Sequence, residues 1–277
     1  MPVPQGATVI DGRGKFLIPG LWDMHTHLTS GPLDSATTLP SYVANGVTGI
    51  RELWGDAPGV MADSAAGITQ LQGTQRLRRH IAAGRAVGPR IILGSAPLDG
   101  PFGPDGFLHV VRTPEEATRV VDESAARGVD AIVIYRFLDP AAYAAAAAAA
   151  RRHGLPLAGG TPIAGTFEEF AAAGHRSRDG YMEWELACST VGDSVRSALR
   201  AKAARDAAIP AGGAAQDTVN TLARMYSAAR PRLVATFDRP RCERIAGAVA
   251  QGDVWYMPRL VYGKPQASAG TSGAAAA

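Results

Sequence analysis

Short apolar runs alternate along the chain with stretches that carry the start and stop signals of helices. Apolar runs typical of buried strands lie at 15–24, 48–53, 89–95, 130–135, 155–159 and 254–261, with a weaker run near 175–180. The segment 113–116, Thr-Pro-Glu-Glu, combines an N-cap, a proline and a capping-box glutamate, and Asp139-Pro140 opens an alanine-rich run that Gly154 closes. This alternation predicts an α/β fold with a parallel sheet, and 277 residues suit a (β/α) barrel better than a doubly wound sheet.

The first apolar run leads directly into His25-Thr26-His27. Because side chains alternate with period two along a strand, both imidazoles are expected on the same side. Two neutral imidazoles make half of a site for a divalent metal, which needs three or four ligands. The pattern therefore predicts a functional site at the end of the first strand.

Composition narrows the classes of function. Hydrophobic residues make up 46% of the chain, enough for a sizeable core, and a formal net charge of +3 does not favour nucleic acid or an anionic membrane. No apolar stretch of about 18 residues exists, and the first residues lack the basic and apolar regions of an export signal. Cys188 and Cys242 lack CxxC spacing, which predicts two reduced thiols in a cytoplasmic protein.

The run 18–27, Ile-Pro-Gly-Leu-Trp-Asp-Met-His-Thr-His, resembles the first barrel strand of the amidohydrolase superfamily, in its imidazolonepropionase- and prolidase-like branch. Further segments resemble the second to seventh strands of that family in order: 45–52, 88–92, 128–135, 154–159, 174–177 and 252–258. The resemblance implies a TIM-like (β/α) barrel domain over 1–262, incomplete at the eighth strand and without most of the family's small β-sandwich. The segment 263–277 is of low complexity and is predicted to be disordered.

The family uses a metal to activate water for hydrolysis of C–N and sometimes C–O bonds. Its ligands are the HxH pair, a carboxylated lysine on strand four, histidines on strands five and six, and an aspartate on strand eight. In this chain the strand-four, strand-five and strand-six positions hold Val133, Gly160 and Gly180, and the strand-eight aspartate has no recognisable counterpart. The resemblance therefore implies a barrel that has lost most of the ancestral metal site.

Polar residues near the expected strand ends supply the remaining chemistry. Imidazole suits general acid–base catalysis near neutral pH, carboxylates can orient it, and an arginine or tyrosine can bind an oxyanion or a carboxylate. We expect Glu183 in a loop after the sixth strand, and purely structural or solvated roles stay open for the histidines and for Glu183. The candidate catalytic residues are His25, His27, Asp179, Glu52 and Glu183, and the candidate substrate-binding residues are Asp23, Trp54, Tyr135, Arg136, Trp184 and Tyr262.

Three functions remain open on the sequence. The first is a metal-independent enzyme, without a cofactor, that performs acid–base cyclisation, dehydration, isomerisation or hydrolysis on a medium-sized molecule in biosynthesis. The second is a hydrolase of C–N or C–O bonds that retains a divalent metal such as Zn on His25 and His27, completed by new ligands. The third is a pseudoenzyme that binds a ligand without turnover. Open barrel edges also predict a possible homodimer.

Overall fold

The computed structural model describes residues 3–28, 34–101, 107–163, 165–180, 182–206 and 213–258. The strands are β1 Leu21–Thr26, β2 Val47–Glu52, β3 Met61–Asp63, β4 Ile68–Thr69, β5 Arg90–Leu93, β6 Leu98–Asp99, β7 His109–Val110, β8 Ile132–Ile134, β9 Leu157–Gly159, β10 Ser177–Asp179 and β11 Trp255–Met257. The helices are α1 Leu39–Ala44, α2 Gln70–Ala82, α3 Pro114–Ala126, α4 Pro140–Arg152, α5 Phe167–Ala172, α6 Met182–Ala187, α7 Gly192–Asp206, α8 Gly213–Ala235 and α9 Arg239–Gln251. A π-helical segment, Asp34–Thr38, precedes α1.

Parallel pairing organises the strands. Ladders join β1 to β2, β2 to β5, β8 to β9 and β10 to β11, and β6 pairs with both β7 and β8. A parallel bridge between Gly94 and Ala131 links the end of β5 to the start of β8. The protein is thus an α/β fold whose principal strands follow each other in the order expected of a TIM-like barrel. Within the described ranges, no ladder joins β11 to β1.

The main core lies between β8, β9 and the two helices α3 and α4. Buried alanines such as Ala142, Ala146 and Ala150 face this core along α4. Their small side chains let the helix approach its neighbours closely, which accounts for the alanine-rich run. Asp139 caps α4 by accepting hydrogen bonds from the backbone N–H groups of residues 141 and 142 at 2.8 and 3.4 Å.

The segment before β1 departs from the sequence prediction. The apolar run 15–24 was expected to be a buried strand, but β1 begins only at Leu21. Phe16 and Leu17 are 96% and 101% exposed, so that part of the prediction is wrong. An apolar run shows that a segment can be buried, whereas burial itself requires a partner surface. The prediction of a disordered 263–277 concerns residues outside the described ranges, as does Tyr262.

A block of helices, α6 to α9, lies between β10 and β11 and was not predicted. Glu183 belongs to the helix α6 and not to a loop, which corrects that expectation. Cys188, directly after α6, forms a disulfide with Cys242 in α9, so the prediction of reduced thiols is wrong. The two cysteines have a sequence separation of 54, so the sequence did not indicate that they are close. Only the packing of α9 against α6 brings them together. Among the described helices, none has the length and hydropathy to span a membrane.

Candidate functional site

A buried carboxylate connects the first strand, β1, to β10. Asp179, at the end of β10, accepts a hydrogen bond from His25 through Oδ2, at 2.5 Å from Nδ1. Its other oxygen, Oδ1, lies 2.8 Å from Nη2 of Arg51, which projects from β2. The His25 side chain is 24% exposed, whereas those of Asp179 and Arg51 are almost fully buried. The structure thus brings together a solvent-accessible imidazole and a shielded ion pair.

His25, Asp179 and Arg51 form a triad, and strand geometry explains the direction of their side chains. Ser177 and Asp179 both contact the Arg51 guanidinium, because they lie two residues apart on β10 and face the same way. Arg178, between them, points to the opposite side and lies over the rings of Phe167 and Phe170. The register of β10 therefore selects Asp179 for the site.

Arg51 belongs to the candidate site, although the sequence analysis did not single it out. Its guanidinium also donates to the carbonyl of Met24 at 2.9 Å, so it holds the ends of β1, β2 and β10 together. Burial lowers the pKa of Arg51, and the adjacent Asp179 carboxylate opposes that effect. A charged residue inside the apolar run 48–53 was the signal that could have identified it, since a buried charge requires a partner.

His27 lies beside His25, as the period-two pattern predicted. The two ring centres are 5.0 Å apart and nearly perpendicular. His27 stacks on Trp54 at 4.1 Å, and Trp54 in turn contacts Phe107 at 5.3 Å. These rings form an aromatic shelf next to the imidazole of His25, which places the substrate-binding candidate Trp54 at the site.

Glu52 occupies a buried position under the end of β1. Its Oε2 accepts a hydrogen bond from the backbone N–H of Leu28 at 2.5 Å, and its Oε1 accepts one from the N–H of Trp54 at 2.6 Å. Burial raises the pKa of Glu52 to about 8, although both backbone hydrogen bonds favour the ionised form. Both oxygens bind the backbone of the loops that carry His27 and Trp54, so Glu52 fixes these two loops relative to each other.

Glu183, on α6, is buried away from the triad. Thr161 donates a hydrogen bond to its Oε1, while Oε2 has no partner among the described residues. Burial raises the pKa of Glu183, and the hydrogen bond from Thr161 and the charges of Arg178 and Arg136 oppose that shift.

The other substrate-binding candidates lie in different settings. Asp23 accepts a hydrogen bond from the backbone N–H of His25 at 3.1 Å and is therefore close to the triad. Tyr135 follows β8, and Arg136 lies over its ring at 5.3 Å. Trp184 packs on Phe167 at 4.7 Å, in a small hydrophobic cluster. Asp23 and Trp54 thus directly contact His25 and His27, respectively.

The donor atoms of His25 and Asp179 do not suit a divalent metal of the kind that the amidohydrolase superfamily binds. His25 directs Nδ1 at Asp179, and the second oxygen of Asp179 is held by a buried guanidinium, whose positive charge opposes a cation there. At the positions of three family ligands, Val133 offers no lone pair, and Gly160 and Gly180 have no side chain. Across the described ranges, no group of three or more histidine, cysteine, aspartate or glutamate residues could hold a metal ion.

Parallel strands whose C-terminal ends carry polar side chains define the general class of this protein. Such ends are where (β/α) barrels build their active sites. The protein is thus an α/β protein whose parallel strands are compatible with a TIM-like fold and whose triad lies at strand ends.

Comparison with solved structures places the fold more narrowly. The chain is similar to a prolidase complexed with N-methylphosphonate-L-proline, with 16% identity and a TM-score of 0.50 over 93% of this chain and 69% of that one. A putative prolidase from Bifidobacterium longum has 27% identity and a TM-score of 0.49, over 65% of this chain and 44% of that one. A bottromycin amidohydrolase has 18% identity and a TM-score of 0.47, over 86% of this chain and 63% of that one.

These similarities concern the fold. The likeness to the prolidase complex confirms, at the level of the fold, the resemblance to amidohydrolases that the sequence suggested. The chain spans less than two thirds of the length of the putative prolidase and of the bottromycin amidohydrolase. No protein-family model and no curated protein matches the chain.

Proposed function

We propose that this protein is an amidohydrolase-like hydrolase of small molecules that uses His25 and Asp179 as a metal-independent acid–base pair. The observation that supports this most directly is the 2.5 Å hydrogen bond between His25 Nδ1 and Asp179 Oδ2. With its Nδ1 proton directed to a carboxylate, the imidazole carries its lone pair on Nε2 and can accept a proton from water there.

The proposed step balances without an added reagent. Nε2 of His25 takes a proton from water as the water oxygen bonds to the substrate carbonyl carbon. The same nitrogen then returns the proton to the leaving nitrogen or oxygen as the bond to carbon breaks. Asp179 stabilises the transient imidazolium, and Arg51 compensates the charge of Asp179 in its buried position. His27 and Trp54 supply a surface on which the substrate is oriented.

Two features distinguish this proposal from the alternatives. A metal-dependent hydrolase needs further ligands, and the donor set around His25 and Asp179 is occupied by Arg51. A pseudoenzyme predicts no perturbed ionisable groups at the site, whereas burial raises the pKa of Glu52, which binds the backbone next to His27 and at Trp54. That the substrate is a small molecule is likewise part of the proposal.

A chelator experiment tests the function. The full chain is incubated with a panel of N-acyl amino acids, dipeptides and aryl esters, with and without a chelator, and the metal content of the purified protein is measured. We expect hydrolysis that is insensitive to the chelator and lost in His25→Asn. Activity that disappears with the chelator and returns with Zn would support the metal-dependent hydrolase instead. Turnover that survives in His25→Asn would exclude the proposed acid–base pair.

A further inference from the structure

A cavity of about 320 Å³ lies apart from the His25 triad, at the ends of β6, β7 and β8. The loops after these strands form one wall and α7 forms the other. Its volume is at the lower end of the range for small-molecule sites. None of its lining residues belongs to the triad or to the aromatic shelf.

Three arginines give the cavity its charge. Arg112 follows β7, Arg136 follows β8, and Arg200 comes from α7, so three arginines from different elements line the cavity. Within the described ranges, none of these guanidinium groups forms a hydrogen bond or an ion pair with a carboxylate. The acidic residue in the lining, Asp139, is already bound to the N-terminal N–H groups of α4. The described lining therefore carries three arginines against one carboxylate, and the charge of Arg136 also acts on the buried carboxylates of Asp99 and Glu183.

The remaining wall is apolar and held in place. Leu138, Ile163 and Val111 face the cavity together with alanines of α7. The backbone N–H of Ile163 donates to the carbonyl of Arg136 at 2.8 Å, and Asp99 accepts the N–H of Phe137 at 2.6 Å. These hydrogen bonds fix the backbone of the loops that carry Arg136, Phe137 and Ile163, so this part of the wall is formed without a ligand. A preformed site loses less entropy when a ligand binds.

We propose that this cavity binds an organic carboxylate with an apolar body, separately from the His25 site. Guanidinium groups bind carboxylates through paired, charge-assisted hydrogen bonds. The aliphatic wall matches an apolar body of the size of an aryl or branched alkyl group. The proposal does not depend on the hydrolytic function, since it uses other residues and requires no turnover.

Calorimetric titration of the full chain tests the proposal with 4-phenylbutyrate as the probe. The neutral analogue 4-phenylbutyramide has nearly the same shape, and inorganic phosphate carries charge without the apolar body. We expect the carboxylate to bind at one site per chain. Loss of the charged contacts should make the amide about tenfold weaker or worse, and phosphate should bind more weakly than the carboxylate.

Matched variants assign the binding to the cavity. Arg136→Gln combined with Arg200→Gln should weaken 4-phenylbutyrate binding by about tenfold or more, because two charge-assisted contacts are removed. Ala203→Phe should also weaken it, by filling the cavity from α7. Arg119→Gln, an exposed arginine of α3 outside the cavity, and His25→Asn should leave the affinity unchanged. Absence of binding, equal affinity for carboxylate and amide, or an equal loss in Arg119→Gln or His25→Asn would overturn the proposal.

Discussion

His25 Nδ1 lies 2.5 Å from Asp179 Oδ2, although 154 residues separate the two in sequence. The contact forms where the end of β10 lies beside β1, with Arg51 of β2 bound to both Asp179 and the carbonyl of Met24. A histidine oriented by a buried carboxylate has a defined tautomer, which is the property that acid–base catalysis requires.

Asp179→Asn tests the orientation of His25. The amide can still contact the imidazole, but it cannot stabilise the imidazolium by charge, so we expect kcat/KM to fall by about 100-fold or more. The same substitution should remove the downfield Nδ1 proton signal of His25 from the NMR spectrum. Asp122→Asn is the matched control, because Asp122 forms an exposed pair with His153 at 2.7 Å. Equal effects of the two substitutions on kcat/KM would contradict a special role for Asp179.

Glu52 should make the protein less stable as the pH rises. Its pKa is raised from 4.5 to about 8 by burial, so the folded state holds the proton more tightly than the unfolded chain does. The free energy of unfolding should therefore fall by about 1.4 kcal/mol per pH unit across that interval and then level off. Glu52→Gln should flatten this slope in denaturant titrations at several pH values. The exposed substitution Glu123→Gln should keep the slope, and a wild-type profile without one would argue against a protonated Glu52.

Asp56 should stabilise the fold through the hydrogen bonds that it accepts. Its Oδ1 accepts from the backbone N–H of Ala96 at 2.6 Å and contacts His109 Nε2 at 3.0 Å, while Oδ2 accepts from Ser124 at 2.7 Å and lies 3.3 Å from Arg127. Asp56→Ala leaves these groups without an acceptor, so we expect a loss of about 3 kcal/mol in the free energy of unfolding. Asp122→Asn, at the surface, should cost less than about 1 kcal/mol.

The contribution of Asp56 should also depend on pH. Although burial opposes ionisation, the hydrogen bond and charge of His109 and the other hydrogen bonds lower the pKa of Asp56. The stabilisation is then complete above the unfolded-state pKa of about 3.9 and is lost as the pH falls through the lower, folded-state pKa. Acid unfolding followed by circular dichroism should show a weaker acid transition in Asp56→Ala than in the unchanged protein.

The disulfide between Cys188 and Cys242 should stabilise the block of helices between β10 and β11. It closes a loop with a sequence separation of 54 residues, for which the chain-entropy description gives about 4 kcal/mol. Cys188→Ser with Cys242→Ser should lower the free energy of unfolding by up to this amount, and a thiol reductant should have the same effect on the unchanged protein. Two titratable thiols in the native protein would show that the cysteines are reduced.

Much of the local structure was predictable. The predicted N-cap residues Thr113 and Asp139 cap α3 and α4, and the principal strands overlap the predicted runs, although β1 begins and ends later than predicted and β2 begins one residue earlier. His25 and His27 are adjacent, as their spacing indicated. The helices α6 to α9 were missed, although Asp238 caps α9 and a proline lies in its first turn, the same signal that identified α4.

By itself, the sequence determined the strand and helix positions that depend on side-chain periodicity and on caps within one turn. Tertiary structure decided which charges meet: Asp179 with His25 and Arg51, and the three arginines around one cavity. It also decided that both oxygens of Glu52 bind backbone N–H groups, so that this residue fixes two loops relative to each other. The physical reason is that periodicity and capping act between neighbours in the chain. Charge pairing and desolvation depend instead on which distant strands end at the same edge and on what covers them.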